Sequence, residues 1–428
     1  MVIRRIPTVT LLLILVISPT IFGTLNRVFD PRCQAPPPGP DIWYSDNDEI
    51  AYSVIETSDL PYVIAGQCQM AGSNNSDVLL LCTGYKTYGG EGNEGAREIV
   101  ECQEGGFALV GYTTSYGAGN TDVWLLRTNS TGHHLWNRTY GTPEQEYGTS
   151  LIILPGGDFA ITGYSTHSIG TDRDVWVLRI DANGNLLWNK TFGGTKADAG
   201  WSIILNHEGN LVVAGVTESF GAGDEDIWLL CIDTSGNHLW NQTFGGTAKD
   251  RGWDVTLVQD GGYAIIGYTT LPGKNAKEIC LIRTDPAGYQ IWNTTYGDND
   301  EDDEGYSIIE TSEGDFAMTG YAGGHREIWF KRSAGYGVYN SFGNQGLFGT
   351  SIIESSEGGF IIVGGTNTTS TETSHLVFWW LPSHYSPPRI GLDPLSIIIV
   401  LLFYGWPAIL LITLTLAIMK WRNRKHKT

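Results

Sequence analysis

The chain has 428 residues, 55 of them glycine and 15 tryptophan, and only 17% are charged. Short strands, tight turns and aromatic anchors suit that balance better than helices. Its 26 basic and 46 acidic residues give a net charge of −20, which argues against nucleic acid as a partner, because such a surface repels polyanions.

At the N-terminus, Arg4 and Arg5 precede an apolar run from Val9 to Ile17 and the small residues Ser18, Thr20 and Gly23. This is the grammar of a secretory signal peptide over 1–23, with an uncleaved anchor as the alternative. Residues 24–40 carry Pro31, Pro36, Pro37, Pro38 and Pro40 and read as an extended spacer.

From 41 to 381 one unit recurs seven times. Its register is set by Tyr62, Phe107, Phe159, Leu211, Tyr263, Phe316 and Phe360, each followed four residues later by a glycine: Gly66, Gly111, Gly163, Gly215, Gly267, Gly320 and Gly364. Trp136, Trp188, Trp240 and Trp292 fall at a constant step of 52. Each unit reads as four short strands, with Asn183 and Gly184 typical of the turn before the last one. A four-stranded antiparallel repeat of this length is one blade of a propeller, so the predicted fold is all-β and seven-bladed, with a β-solenoid as the alternative. The seventh unit stops after its third strand, whereas Ile42, Trp43 and Tyr44 precede the first unit. That fragment is expected to supply the missing outer strand, closing the ring and removing two exposed edges.

The pattern Asp/Asn-x-x-Gly-x-x-x-Trp at Asn129–Trp136, Asp181–Trp188, Asp233–Trp240 and Asp285–Trp292 resembles the tryptophan-docking repeat of quinoprotein-like propellers. The whole unit is similar to secreted, archaeal-type repeat β-propellers. The resemblance covers 41–381 and implies the fold. It departs from quinoprotein dehydrogenases, which usually have eight blades, a calcium-bound quinone and, in several, a vicinal cysteine pair; here there are seven units and no adjacent cysteines.

Residues repeated in most blades are expected to be architectural. Trp124, Trp176, Trp228 and Trp329 and the fourth-strand tryptophans would fill the space between blades, with carbohydrate stacking as the alternative. Polar pairs two apart, Asn75/Asp77, Asn120/Asp122, Asp172/Asp174 and Asp224/Asp226, suit either loop amides or a hard cation. The densest acidic stretch, with Asp298, Asp300, Asp302 and Asp303, starts like a calcium loop but has Asp303 where the glycine belongs and Ile309 where the bidentate glutamate belongs. It is a looser calcium site or a solvated loop, and calcium is the one cofactor considered. His133 and His134 fall in a hairpin turn.

Acceptor triplets for N-glycosylation begin at Asn74, Asn129, Asn137, Asn189, Asn241, Asn293 and Asn367. Four lie in the repeated fourth strand, where the threonine also serves strand pairing. Six cysteines in an exported chain raise the question of disulfides. Strand parity puts Cys231 and Cys280 on facing sides of successive blades, so they are either bridged or buried thiols; Cys82 with Cys102 is a second pairing.

Beyond the stalk at 382–394, residues 395–419 form an uncharged run of about 37 Å as a helix, long enough to cross a bilayer. Lys420, Arg422, Arg424, Lys425 and Lys427 then form a basic tail at 420–428, expected on the cytoplasmic side. The expectation is a single-pass protein of the cell membrane with its propeller outside the cell. It would bind a surface protein or glycan; the alternatives are a polysaccharide hydrolase, a quinoprotein-like oxidoreductase and a structural envelope component. No nucleophile elbow, zinc-binding His-Glu-x-x-His or phosphate loop occurs, which favours binding over catalysis. A site must break the repeat, and the departures at 274–280, at His325 and Arg326, and at 298–304 are the places expected to do so.

Overall fold

The computed structural model describes residues 39–42 and 48–381, apart from 70–71, 167–171, 272, 274–275, 298–300, 324–326, 333–346 and 367–375. The signal peptide, most of the spacer, the stalk, the predicted membrane helix and the basic tail lie outside the described residues. Among those described, no helix is long and apolar enough to cross a membrane.

Twenty-seven strands form seven antiparallel sheets, each built from strands consecutive in the chain apart from one exchange at the ends. One representative sheet runs Glu146–Ile153, Phe159–Thr166, Arg173–Ile180 and Leu186–Phe192. First strands of neighbouring sheets lie against one another right around the molecule, and the last sheet returns to the first. The fold is a β-propeller. Six blades are complete with four strands, against the seven expected; the sheet of Asp303–Glu310, Phe316–Ala322 and Glu327–Arg332 has three, since 333–346, where its fourth would fall, is outside the described residues.

The exchange at the ends is the clasp. Gly39–Ile42 pairs antiparallel with Leu376–Leu381, Ile42 facing Val377 and Gly39 facing Trp380. The strand begins three residues earlier than Ile42, inside the expected spacer, and Trp43 and Tyr44 lie outside the described residues. Pro40 is tolerated there because the strand is outermost, where a missing amide donor need not break a ladder.

Every first strand contains a bulge at the same place, leaving one residue without a cross-strand partner: Tyr52, Arg97, Thr149, Trp201, Trp253, Tyr306 and Thr350. This explains the seven repeated glycines. A Cβ on Gly163, Gly215 or Gly267 would stand 1.8–2.0 Å from the carbonyl oxygen of Tyr147, Ala199 or Arg251, and the other four glycines are as confined. No residue with a side chain fits where the bulged backbone comes so close.

The residue after each bulge links blade to blade. Ser53, Glu98, Ser150, Asp254, Ser307 and Ser351 accept the backbone N–H of Ile99, Leu151, Ile203, Ile308, Ile352 and Val54 in the next sheet, at 3.0–3.4 Å. In the remaining blade Ser202 Oγ donates to Asp254 Oδ1 at 2.8 Å. The cores lie between sheets, as where Val212, Ala214 and Leu229 of one blade meet Val255, Ile265 and Ile282 of the next.

Three tryptophans of the 52-residue period, Trp136, Trp188 and Trp240, are architectural, whereas Trp292 is 40% exposed. Turn glycines Gly184, Gly236 and Gly288, all at positive φ, sit on the rings of Trp136, Trp188 and Trp240 of the preceding blade, so close that a Cβ would stand 2.5–3.2 Å from them. Trp124, Trp176 and Trp228 are buried and donate Nε1–H to Asn137, Asn189 and Asn241 Oδ1, each at 3.3 Å. Four of the glycosylation triplets thus begin with an asparagine at this repeated strand position, and in three of them it holds the tryptophan of its own blade.

Candidate ligand site at the axial bulges

The bulge residues point the repeat's variability at the axis. Arg97 lies 4.0 Å over the Tyr52 ring and 5.7 Å from Tyr112. Tyr112, Tyr147 and Tyr164 follow at centroid spacings of 5.2 and 5.0 Å. Tyr164 meets Trp201 at 5.9 Å, Trp201 meets Trp253 at 4.9 Å, and Trp253 meets Tyr306 at 6.0 Å. These side chains are half-buried, and they run as one aromatic belt through the first six blades. Such pairs add about 0.5–1.5 kcal/mol beyond area burial, and the half-buried side chains leave part of each ring accessible to a ligand.

Cations are interleaved with the belt. Arg173 stands 4.7 Å over Tyr164 and 6.0 Å from Trp201, Arg251 lies 5.1 Å over Trp253, and Lys277 lies 4.5 Å over Tyr268. In two blades the cation has a carboxylate. Arg251 bonds Glu225 at 2.6 Å, and Lys277 bonds Glu304 at 2.6 Å. Burial opposes the Glu225 charge, but Arg251 and Lys249 outweigh it and hold its carboxyl below the usual range. Glu304 also accepts Trp253 Nε1–H at 3.1 Å.

Both ion pairs join the residue at the start of one blade's third strand to the second residue of the next blade's first strand. In the preceding blade those positions hold Arg173 and Ala199. No ion pair to Arg173 occurs among the described residues, and its Nε and Trp201 Nε1 are buried donors without a hydrogen-bond partner there. A cavity of about 430 Å³ opens at this point, lined by Gln145, Tyr147, Tyr164, Asp172, Arg173 and Glu218 among others. That is within the range of small-molecule pockets, about 300–1,000 Å³. Burial raises the Tyr164 hydroxyl above its usual value, so it stays a neutral donor and acceptor.

Two acidic side chains face the axis in the ring of post-bulge residues. Burial pushes Glu98 up to about 7, although Ser150 and the Leu151 amide favour its charge, and burial likewise raises Asp254.

Of the residues singled out in the sequence, Asp172 lines the cavity beside Arg173. Asp298 and Asp300 lie outside the described residues. Asp302 Oδ1 accepts the Lys277 amide at 2.9 Å, and Asp303, buried at the head of its strand, accepts the Gly323 amide at 2.9 Å. Both cap a loop or strand, and no cluster of three or more His, Cys, Asp or Glu suited to a metal occurs among the described residues. Asp122 and Asp226 are buried and accept loop amides from Ala118 and Gly119 and from Ala222 and Gly223, the loop alternative for those pairs.

Cys231 and Cys280 do share one core cluster, as strand parity requires, but both are free thiols in this structure. Cys82 and Cys102 are also free and belong to different clusters. Asn74, Asn189, Asn241 and Asn293 are exposed, Asn129 and Asn137 are half-buried, and Asn367 lies outside the described residues. His133 and His134 are exposed in their turn; His325, Arg326 and Lys274 are outside the described residues. Of the expected departures, Lys277 and Glu304 join the belt, paired with each other at 2.6 Å.

No protein-family model matches the chain. A 170-residue stretch is 28% identical to regulatory protein FlaEY of Caulobacter vibrioides, covering 34% of this chain and 18% of that protein, so the chain spans less than a fifth of that relative's length. Among solved structures, the Pan2 WD40 domain of Neurospora crassa aligns with a TM-score of 0.48 at 10% identity, covering 79% of this chain and 90% of that one. An α-L-arabinofuranosidase of Fusarium graminearum, solved with an iminosugar inhibitor, aligns at 0.43 and 12%, covering 65% and 91%.

Proposed function

We propose that this protein is a carbohydrate-binding propeller, held outside the cell by the hydrophobic segment at 395–419, that takes a glycan at the belt on its axis. The observation that carries the reading is the run of half-exposed rings from Tyr112 through Tyr147, Tyr164 and Trp201 to Trp253, beside a cavity whose lining includes the donors Gln145, Thr166 and Arg173. Sugar rings offer C–H faces to aromatic side chains and hydroxyls to such donors. Repeated residues hold the blades together, whereas the belt draws in part on the bulge position, where the side chain varies among Tyr, Arg, Thr and Trp. A peptide of a surface protein is the other occupant this belt would suit.

A catalytic reading rests on Glu98, a carboxyl pushed up to about 7 near the axis. It is weaker, because Glu98 already accepts the Leu151 amide in the same role that serine plays in four other blades.

Titration of the purified full-length chain with a panel of oligosaccharides, followed by tryptophan fluorescence, tests the reading. A binding member should quench the signal, and Trp201→Ala should weaken it by about tenfold or more, a ring–ligand stack being comparable to the 0.5–1.5 kcal/mol of aromatic pairs plus the lost area. Binding unchanged in Trp201→Ala would place the ligand elsewhere. Protease accessibility of the propeller and of the basic tail in sealed cells tests the orientation, with only the propeller expected to be cleaved from outside.

A further inference from the structure

We infer that the cavity beside Arg173 takes the carboxylate of an acidic sugar, a uronate-bearing glycan, as the anion that the repeat omits at this blade. The inference rests on the glycan reading above and adds the chemistry of the ligand.

The neighbouring blades supply the internal standard. Glu225 occupies the position of Arg173 and is paired with Arg251; Lys277 occupies it one blade later and is paired with Glu304. At the Arg173 blade, Ala199 stands where those two blades place the partner side chain. A half-buried guanidinium between Tyr164 and Trp201 is therefore left without a carboxylate partner among the described residues, on the wall of an open volume of about 430 Å³. A planar guanidinium is matched in shape and charge by a carboxylate bound through two parallel hydrogen bonds.

The rest of the lining decides what carries that carboxylate. Tyr147 and Tyr164, stacked face on face at 5.0 Å and an interplanar angle of 25°, give the cavity an aromatic wall. Gln145, Thr166, Asp172 and Glu218 add amide, hydroxyl and carboxylate groups around it. A sugar ring uses both kinds of wall, its C–H groups against the aromatic pair and its hydroxyls on the polar side chains. The acids Asp172 and Glu218 oppose a ligand of high negative charge, so a single carboxylate on a polyhydroxylated ring fits better than a phosphate or an acidic peptide. The chain's net charge of −20 acts in the same direction.

The test is calorimetric titration of the full-length chain with an oligogalacturonide, with the neutral galactose oligomer of equal length, and with an oligoglutamate peptide, repeated on Arg173→Gln and Arg173→Lys. The acidic sugar should bind about ten- to a hundredfold tighter than the neutral one, the range expected for hydrogen bonds to a charged group. Arg173→Gln should erase that preference, bringing the acidic and the neutral sugar to similar affinities, and Arg173→Lys should restore part of it. Equal affinity for both sugars in the natural chain would overturn the carboxylate proposal and leave the glycan reading standing. Tighter binding of the peptide would overturn both in favour of a protein partner, and binding of none of the three would overturn both outright.

Discussion

Val54 donates its backbone N–H to Ser351 Oγ at 3.4 Å, joining residues 297 apart in sequence. Beside that contact, Thr350 Oγ1 donates to the Ala51 carbonyl at 2.7 Å, and Glu56 accepts the Ser356 amide at 2.7 Å. The last blade is thus fastened to the first near the axis, while Gly39–Ile42 fastens it at the rim. Deleting 39–42 should leave the inner fastening and expose Leu376–Leu381 as an open edge. The expected outcome is a protein that still folds but unfolds at lower denaturant and self-associates through that edge. Urea unfolding and light scattering of the deleted and intact chains check this; equal midpoints and no association would show that the clasp adds nothing.

The bulge predicts a sharp contrast between two glycines. A Cβ on Gly215 would stand 2.0 Å from the Ala199 carbonyl oxygen, a backbone atom that cannot swing away, whereas nothing lies within 4 Å of a Cβ on Gly246. Gly215→Ala should therefore cost roughly 1–3 kcal/mol, as overpacked sites do, and Gly246→Ala should be close to neutral. Denaturant midpoints of the two variants decide the matter, and similar values would sink the steric account of the repeated glycine.

Much of the frame was legible because it is repeated. The glycines four residues after each second-strand aromatic answer a contact present in all seven units, whereas the tryptophans of the 52-residue period occur four times and meet a turn glycine of the next blade three times. The terminal strand was legible for a complementary reason, one unit lacking a strand and one fragment lacking a unit. The candidate site was not, because its residues come from several strand positions that only the fold brings together. Trp201, Trp253 and Tyr306 read as ordinary strand aromatics until the bulge aims them at the axis. A usable signal did exist: the position after the small residue Ala51, Ala96, Gly148, Gly200, Gly252, Gly305 or Gly349 varies among Tyr, Arg, Thr and Trp. The asparagine triplets misled in the other direction, since Asn137, Asn189 and Asn241 are required by a tryptophan N–H whether or not a glycan is attached.

The axial carboxyls predict how stability responds to pH. Burial raises Glu98 to about 7 and raises Asp254 in the same direction, so between the unfolded carboxyl range near pH 4 and about pH 7 the folded state holds more protons than the unfolded chain. Stability contributed by these groups should fall as pH rises through that window and level off above it, by on the order of 1–3 kcal/mol for Glu98. Glu98→Gln, which keeps an acceptor for the Leu151 amide, should flatten the dependence and be the more stable protein at pH 8. Unfolding free energies at pH 5, 6.5 and 8 check it, and an unchanged slope in the variant would show that Glu98 ionises normally.

The thiols offer a direct check on the core between the fourth and fifth blades. Burial pushes both Cys231 and Cys280 up to about 12, leaving almost no thiolate at neutral pH, and only thiolates react with alkylating reagents. Neither residue should be labelled by iodoacetamide in the folded protein, and both should be labelled on unfolding in urea without a reductant. Labelling that appears only after reduction would mean instead that the two sulfurs, which share one cluster, are joined across the blades. That bond would close a loop of about 50 residues and add several kcal/mol to the stability of the ring, so the same experiment, read with and without reductant, also measures how far packing alone holds these two blades together.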